Sequence, residues 1–382
     1  MIDELRKRDQ PMPMIDRRLL TNFDWPLVVL TLVIAAIGVV NIFSATASYS
    51  VSGTSYSIRQ LYWILTGLVL VLSVCSVDYH LLDDIAYWIY GVVVVLLLLV
   101  LVAGKTSMGA TRWLHLGFFS LQPSEPMKIV IIIIFARVFS RYPVHASLSI
   151  KELGLPLAIV GFPALLIMKQ PDLGTAVLVL LIAGSMMLAV GVRLSALISG
   201  VVAAVPVIFI GWYFYLRDYQ KNRILDFLNP ERSRLGSGYH IIQSKIAVGS
   251  GGFSGKGYLK GTQTQLRFLP EQHTDFAFSV FSEEWGFLGC LVVLALYACL
   301  ILLGLQIASR CNDRFGSLLA VGVTAMLFWH IAINIGMVIG LFPVVGVPLP
   351  FFSYGGTSMV TSMIGMALLL NISMRRFMFS AN

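Results

Sequence analysis

Charge is scarce in this sequence: Asp, Glu, Lys and Arg together make up 12% of its 382 residues, against 57% hydrophobic residues. A water-soluble domain of ordinary composition carries about twice that share of charge, so a large extramembrane catalytic domain is excluded. Cysteine is also scarce. The four present (Cys75, Cys290, Cys299, Cys311) lie in or beside apolar runs with no paired spacing, which excludes a disulfide framework and a cysteine zinc cluster. Histidines and acids never take a recognisable metal-ligand spacing. There is no fixed-period repeat and no low-complexity tract, and no apolar stretch precedes Asp24, so the N-terminus does not read as a cleavable signal peptide. The net charge of +8 is not a nucleic-acid footprint, because the basic residues flank apolar segments and no nucleic-acid-binding module is visible.

What the sequence does have is long apolar runs. Spanning a bilayer takes about 20 apolar residues. Ten candidate spans fall near 26–45, 61–77, 85–103, 127–140, 154–168, 174–192, 196–216, 285–308, 316–342 and 357–373. The expectation is an all-α polytopic membrane protein, a single integral-membrane domain over 1–382 with a polar N-terminal tail at 1–24. Lysine and arginine are concentrated on the side that holds both termini, which predicts cytoplasmic ends. The one long connection, 217–275, then lies outside as a periplasmic or extracellular loop. A loop of that length without a role is uncommon.

Several polar groups interrupt this pattern. Asp275 ends the long loop in Leu269-Pro-Glu-Gln-His-Thr-Asp275 and abuts the next apolar segment. It reads either as first-turn helix chemistry with Thr274 as N-cap, or as a general base desolvated beside an apolar helix. Glu283 and Glu284 follow inside hydrophobic sequence, where charges face a bundle interior or a water-filled cavity; they are either a site or a structural pair. In Gln122-Pro-Ser-Glu125-Pro-Met-Lys128, Pro126 suits the first helical position, which would put Glu125 just before the helix and Lys128 in its first turn. Lysine beside free backbone N–H groups suits phosphate or pyrophosphate; the alternative is an internal Glu125–Lys128 ion pair. Arg112, next to Trp113, reads alone as an interfacial anchor, and Asp172 as turn and cap chemistry. His330 and Asn334, one turn apart, read as interhelical hydrogen-bonding groups. Gly249-Ser-Gly-Gly-Phe-Ser-Gly-Lys256 fails both nucleotide-loop templates and reads as a turn or a backbone nest able to meet phosphate oxygens.

Gln122-Pro-Ser-Glu125 with Lys128, Gln170-Pro-Asp-Leu-Gly-Thr175, Gly238-Tyr-His-Ile-Ile-Gln-Ser, Phe268-Leu-Pro-Glu with His273-Thr-Asp275-Phe, and Pro348-Leu-Pro-Phe-Phe-Ser-Tyr-Gly-Gly356 together closely resemble the SEDS family, over nearly the whole chain from Asp24 to Arg376. Gly255-Lys-Gly-Tyr-Leu-Lys-Gly-Thr-Gln-Thr-Gln265 looks like the RodA branch of cell elongation rather than the FtsW branch of division. The resemblance implies a ten-span bacterial inner-membrane glycosyltransferase that polymerises lipid II, a disaccharide peptide on undecaprenyl pyrophosphate, into peptidoglycan strands. It also implies a class B penicillin-binding transpeptidase and other elongation-machinery membrane proteins as partners. Asp275 matches the family's essential aspartate, and Glu125 and Lys128 its polar pair.

The expected arrangement puts the donor pyrophosphate against Lys128, Arg112 and the loop cations Arg223 and Lys245, with Gln122, Glu125, Asp172 and His273 completing the substrate contacts and Asp275 as base. No protein-held metal is expected; a divalent cation such as magnesium or manganese held mostly by substrate phosphates would leave no motif. A lipid II transporter and a noncatalytic scaffold of the elongation machinery are the rival readings.

Overall fold

The computed structural model describes residues 23–376, except 50, 108–109, 116–119, 143–151, 194–197, 201, 203–205, 207–208, 210, 216–217, 234–236 and 270. The helices of the bundle are α1 (Trp25–Thr46), α2 (Val51–Ser76), α3 (His80–Ala103), α4 (Ser124–Ser140), α5 (Gly154–Lys169), α6 (Leu173–Val190), α10 (Ala277–Arg310), α11 (Arg314–Val338) and α12 (Gly356–Arg375). Between α6 and α10 the chain forms α7 (Asp218–Leu228), α8 (Ser237–Ser250) and the single turn α9 (Thr262–Gln265). Among the described residues, seven helices are long and apolar enough to cross a membrane, and α5 is a shorter apolar helix. The protein is thus a multi-pass helical membrane protein. About half of the expected span at 196–216 falls outside the described residues.

The helices begin where local chemistry lets them. Pro26 stands at the start of α1, where its missing N–H is not needed. Asp172 caps α6 by accepting from the Thr175 N–H, and Asp313 caps α11 by accepting from the N–H groups of Phe315 (3.3 Å) and Gly316 (2.7 Å). Two starts differ from expectation. Helix α4 begins at Ser124, two residues before Pro126, because the first four N–H groups of a helix need no intrahelical partner and proline is tolerated through that turn. Glu125 therefore sits in the first turn and Lys128 in the second. Helix α10 begins only at Ala277. Thr274 donates to the carbonyl and the carboxylate of Glu271 instead of capping, in a turn whose Glu271 has φ 49°.

Helices α4, α11 and α12 form the buried centre; nearly every residue of α4 from Ser124 to Phe139 is buried. Helices α2, α3 and the long part of α10 show Leu, Val and Phe outward, the surface expected to face lipid. Beside the helices there is a small antiparallel sheet that the apolar pattern did not suggest, β1 (Lys105–Ser107), β2 (Ala110–His115) and β3 (Ser120–Leu121), in the order β1-β2-β3. It carries Arg112 and leads straight into α4.

Helix α10 is broken. Gly286 takes φ 64° and ψ −162°, which a side-chain-bearing residue rarely adopts. The glycine-rich stretch packs against the break. The N–H groups of Lys256 and Gly257 donate to the carbonyls of Glu283 (3.1 Å) and Glu284 (3.0 Å), and the N–H groups of Phe287 and Leu288 donate to the carbonyls of Gly252 (2.9 Å) and Phe253 (3.1 Å). These backbone groups are thereby used up within the protein. The stretch closes the helix break, which corrects its reading as a nest for phosphate.

Candidate active site

The starts of α4, α6 and α12, the end of α11 and the loop before α10 meet at one end of the bundle around a cavity of about 600 Å³. Six of the residues expected at the site line it: Arg112, Gln122, Glu125, Lys128, Asp172 and Asp275. Positions as far apart in sequence as 112 and 275 therefore share one space, open to solvent.

Asp275 lies on the last loop residues before α10. Its main-chain carbonyl accepts from Asn334 Nδ2 (2.9 Å), and the same nitrogen donates to the Val347 carbonyl (2.7 Å). Asn334 thus ties the two loops that form the cavity wall. Opposite Asp275 stands Gly346 at φ 72°, where an added Cβ would lie 3.2 Å from Asp275 Oδ2. Burial, reinforced by the negative charge of Glu271, pushes the Asp275 carboxyl up to about 6, against the opposing pull of Arg223 and Arg112. Among the described residues no donor holds its carboxylate oxygens.

On the facing wall, the buried Lys128 ammonium contacts Glu125 Oε1 at 2.7 Å and His330 Nε2 at 2.9 Å. The pair is formed, and both members still line the cavity. Glu125 Oε2 is buried with no partner among the described residues. Asp172 accepts from Gln122 Nε2 (3.0 Å) and Ser124 Oγ (3.4 Å), and Arg112 Nη1 stands 3.7 Å from its other oxygen. Arg112 also donates to the Pro171 carbonyl. It is built into the cavity wall. Asp172 both caps α6 and joins the polar lining.

The remaining three expected residues lie elsewhere. Arg223, on α7, donates to the Val344 carbonyl (3.1 Å) and lines a neighbouring apolar cavity of about 290 Å³. Lys245 projects from the outer side of α8, exposed, with its stem against Gly340. His273 packs its ring against Tyr56 and Tyr354, with centroids 4.7 and 5.7 Å apart, just behind the wall. Burial holds its pKa below the ordinary histidine range.

Sequence reasoning missed two contributors, Glu271 and Gly346, and read His330 and Asn334 as hydrogen-bonding groups without their partners, Lys128 and the carbonyls of Asp275 and Val347. The only signal for His330 and Asn334 was their polarity inside an apolar helix. Glu283 and Glu284, flagged by the same signal, stand apart from the cavity. Glu283 is held by Lys256 and by the α9 turn, and Glu284 accepts from Ser44 Oγ. Among the described residues no group of three His, Cys, Asp or Glu is placed to hold a metal ion.

With this geometry in hand, comparison with known proteins is informative. The chain is 42% identical over 341 residues to the peptidoglycan glycosyltransferase MrdB of Escherichia coli K12, covering 89% of this chain and 92% of that one. It is 34% identical over 431 residues to the peptidoglycan glycosyltransferase RodA of Treponema pallidum, covering 93% and 98%. Among solved structures, it is similar to a chain of a peptidoglycan synthase complex that coordinates polymerization and crosslinking (TM-score 0.79, 31% identity, 93% of this chain and 98% of that one). It is also similar to the crystal structure of the rod shape determining protein RodA of Thermus thermophilus (TM-score 0.68, 29% identity, 93% and 98%). A family model described as cell cycle protein, FTSW_RODA_SPOVE, matches residues 24–377, so the chain belongs to the FtsW/RodA/SpoVE family.

Proposed function

We propose that this chain is a peptidoglycan glycosyltransferase that polymerises lipid II, with the cavity as its active site and Asp275 as its general base. One observation carries the reading: a carboxylate with no donor among the described residues, raised toward neutrality, lines the same cavity as the cations Lys128 and Arg112. A base with a pKa near 6 is mostly ionised at neutral pH and still a better proton acceptor than an ordinary aspartate.

In this reading Asp275 takes the proton of the acceptor sugar's hydroxyl as that oxygen attacks the anomeric carbon of the donor. The new C–O bond forms with inversion while the bond to phosphate breaks, and the electron pair leaves on undecaprenyl pyrophosphate. Lys128 and Arg112 stabilise the charge developing on that diphosphate. Gln122, Glu125 and Asp172 supply polar groups for the sugars and for holding the cations in place. Arg223 acts from behind the wall, by its field on Asp275, and His273 by packing. Lys245 on α8 lies outside the cavity lining. A diphosphate leaving group needs no protonation, so one carboxylate suffices where a glycosidase uses two. No step runs through a metal; a divalent ion would come with the substrate phosphates.

The chain sits in the bacterial inner membrane as one integral domain, with cytoplasmic termini and the cavity on the periplasmic side. It works beside a class B penicillin-binding transpeptidase. The similarity to a chain of a complex that couples polymerization to crosslinking supports that partner. The test is direct: supply lipid II to the purified chain in detergent, wild type and Asp275→Asn, and separate the products on a gel. The expected result is glycan polymer from the wild type and a loss of at least about 100-fold in the variant. Equal polymer from both would remove Asp275 from the base role. No polymer from the wild type would return the transporter and scaffold readings.

A further inference from the structure

The mechanism above uses Lys128 but leaves His330 without a role, although the two lie 202 positions apart in sequence and touch at 2.9 Å. The histidine's protonation follows from its contacts. His330 Nδ1 lies 2.8 Å from the Met326 carbonyl, which can only accept, so Nδ1 carries the hydrogen. His330 Nε2 faces an ammonium, which can only donate, so Nε2 is bare. The ring is therefore a neutral acceptor, and its tautomer is set by the turn of α11 that holds it.

An ammonium has three N–H bonds. Glu125 Oε1 takes one at 2.7 Å and His330 Nε2 takes the second. The third is left for the cavity that Lys128 lines. On the other member of the pair, the buried Glu125 Oε2 has no partner among the described residues. The wall thus offers one fixed donor beside one fixed acceptor. With Glu125 alone, the lysine could turn about its last bond and spread its free hydrogens over a cone; a second acceptor on a different helix removes that freedom.

We propose that His330 is a positioning residue: by accepting from Lys128 it fixes the one uncommitted N–H of that lysine toward an oxygen of the donor diphosphate. The inference rests on the reading of the cavity as a lipid II polymerase site. His330 also lines the cavity, and the role assigned to it is the orientation of the lysine.

The experiment compares the full-length wild type with His330→Gln and His330→Leu in detergent. Glutamine places its Oε1 about where Nε2 stood and keeps an acceptor for Lys128; leucine fills similar space with none. Two readouts are taken on each protein: the KM and kcat for lipid II polymerisation, and equilibrium binding of undecaprenyl pyrophosphate. The expected result is at least a tenfold rise in KM and a matching loss of affinity for His330→Leu, roughly the effect of one lost hydrogen bond to a charged group, with His330→Gln within about threefold of wild type. Wild-type affinity in His330→Leu overturns the proposal. So does an equal loss in both variants when their melting temperatures match the wild type, since a purely structural histidine would not be rescued by an acceptor. If the wild type makes no polymer, the polymerase reading fails, and the affinity series still decides whether His330 sets the diphosphate contact.

Discussion

Glu283 and Asp275 lie on either side of the start of α10, and each puts a carboxylate into surroundings poor in water, yet the protein treats their oxygens in opposite ways. Glu283 accepts from Lys256 Nζ (2.7 Å), Thr262 Oγ1 (3.1 Å), the Gln263 N–H (3.0 Å) and both the N–H and the hydroxyl of Thr264 (3.4 and 3.3 Å). Asp275 has no such donors among the described residues and opens on a cavity. The first carboxylate is a fastener for the α9 turn, and the second is available for chemistry. Burial of a charge in a membrane protein therefore does not by itself mark a site. The useful question is whether the hydrogen-bonding capacity of that charge is already filled.

The comparison can be broken by experiment. Its largest predicted effect is on stability: Glu283→Ala strips five donors of their acceptor at a fully buried position and should cost about 3 kcal/mol, read as a lower melting temperature in detergent. An unchanged melt would mean that Glu283 fastens nothing. Next comes Gly346→Ala, which sets a Cβ against Asp275 Oδ2 at a φ of 72° that alanine adopts at a cost of about 1–2 kcal/mol. Polymerisation should fall about tenfold while lipid binding holds. A fully active variant would show that the wall opposite Asp275 gives way freely.

The smallest effect is on pH. Since Asp275 must be ionised to act as base, wild-type polymerisation should fall on acidification with a midpoint near pH 6. The Glu271 charge disfavours the Asp275 anion, so Glu271→Gln stabilises that anion, lowers its pKa and moves the acid limb to lower pH, by less than about one unit. A limb that stays put or moves upward would show that Glu271 does not act on Asp275 through its charge.

Much of this was legible in the chain, and the parts that were not share a physical reason. Apolar runs gave the helices, because a membrane helix must be apolar along its whole length. The motif residues Gln122, Glu125, Lys128, Asp172 and Asp275 came together as expected. The starts of α4 and α10 did not follow the rules for soluble helices: Pro126 is accommodated deeper in the first turn, and a turn around Glu271 delays α10 past Asp275. The small sheet at 105–121 and the helices α7 and α8 were hidden because their residues lack a long periodic run. His330 and Asn334 were visible only as polar residues in an apolar helix. Their partners, Lys128 and the Asp275 carbonyl, lie far away in sequence, and no local pattern encodes a contact of that range.

The break at Gly286 also sets how much of α10 runs as one straight helix. As one uninterrupted rod, its 34 residues would measure about 51 Å, well beyond the roughly 30 Å of hydrocarbon. Divided at Gly286, the stretch from Phe287 to Arg310 measures about 36 Å, enough to cross with a modest tilt. The kink therefore divides α10 into a part long enough to cross a bilayer and, before it, a shorter part that holds Glu283 and meets the glycine buckle.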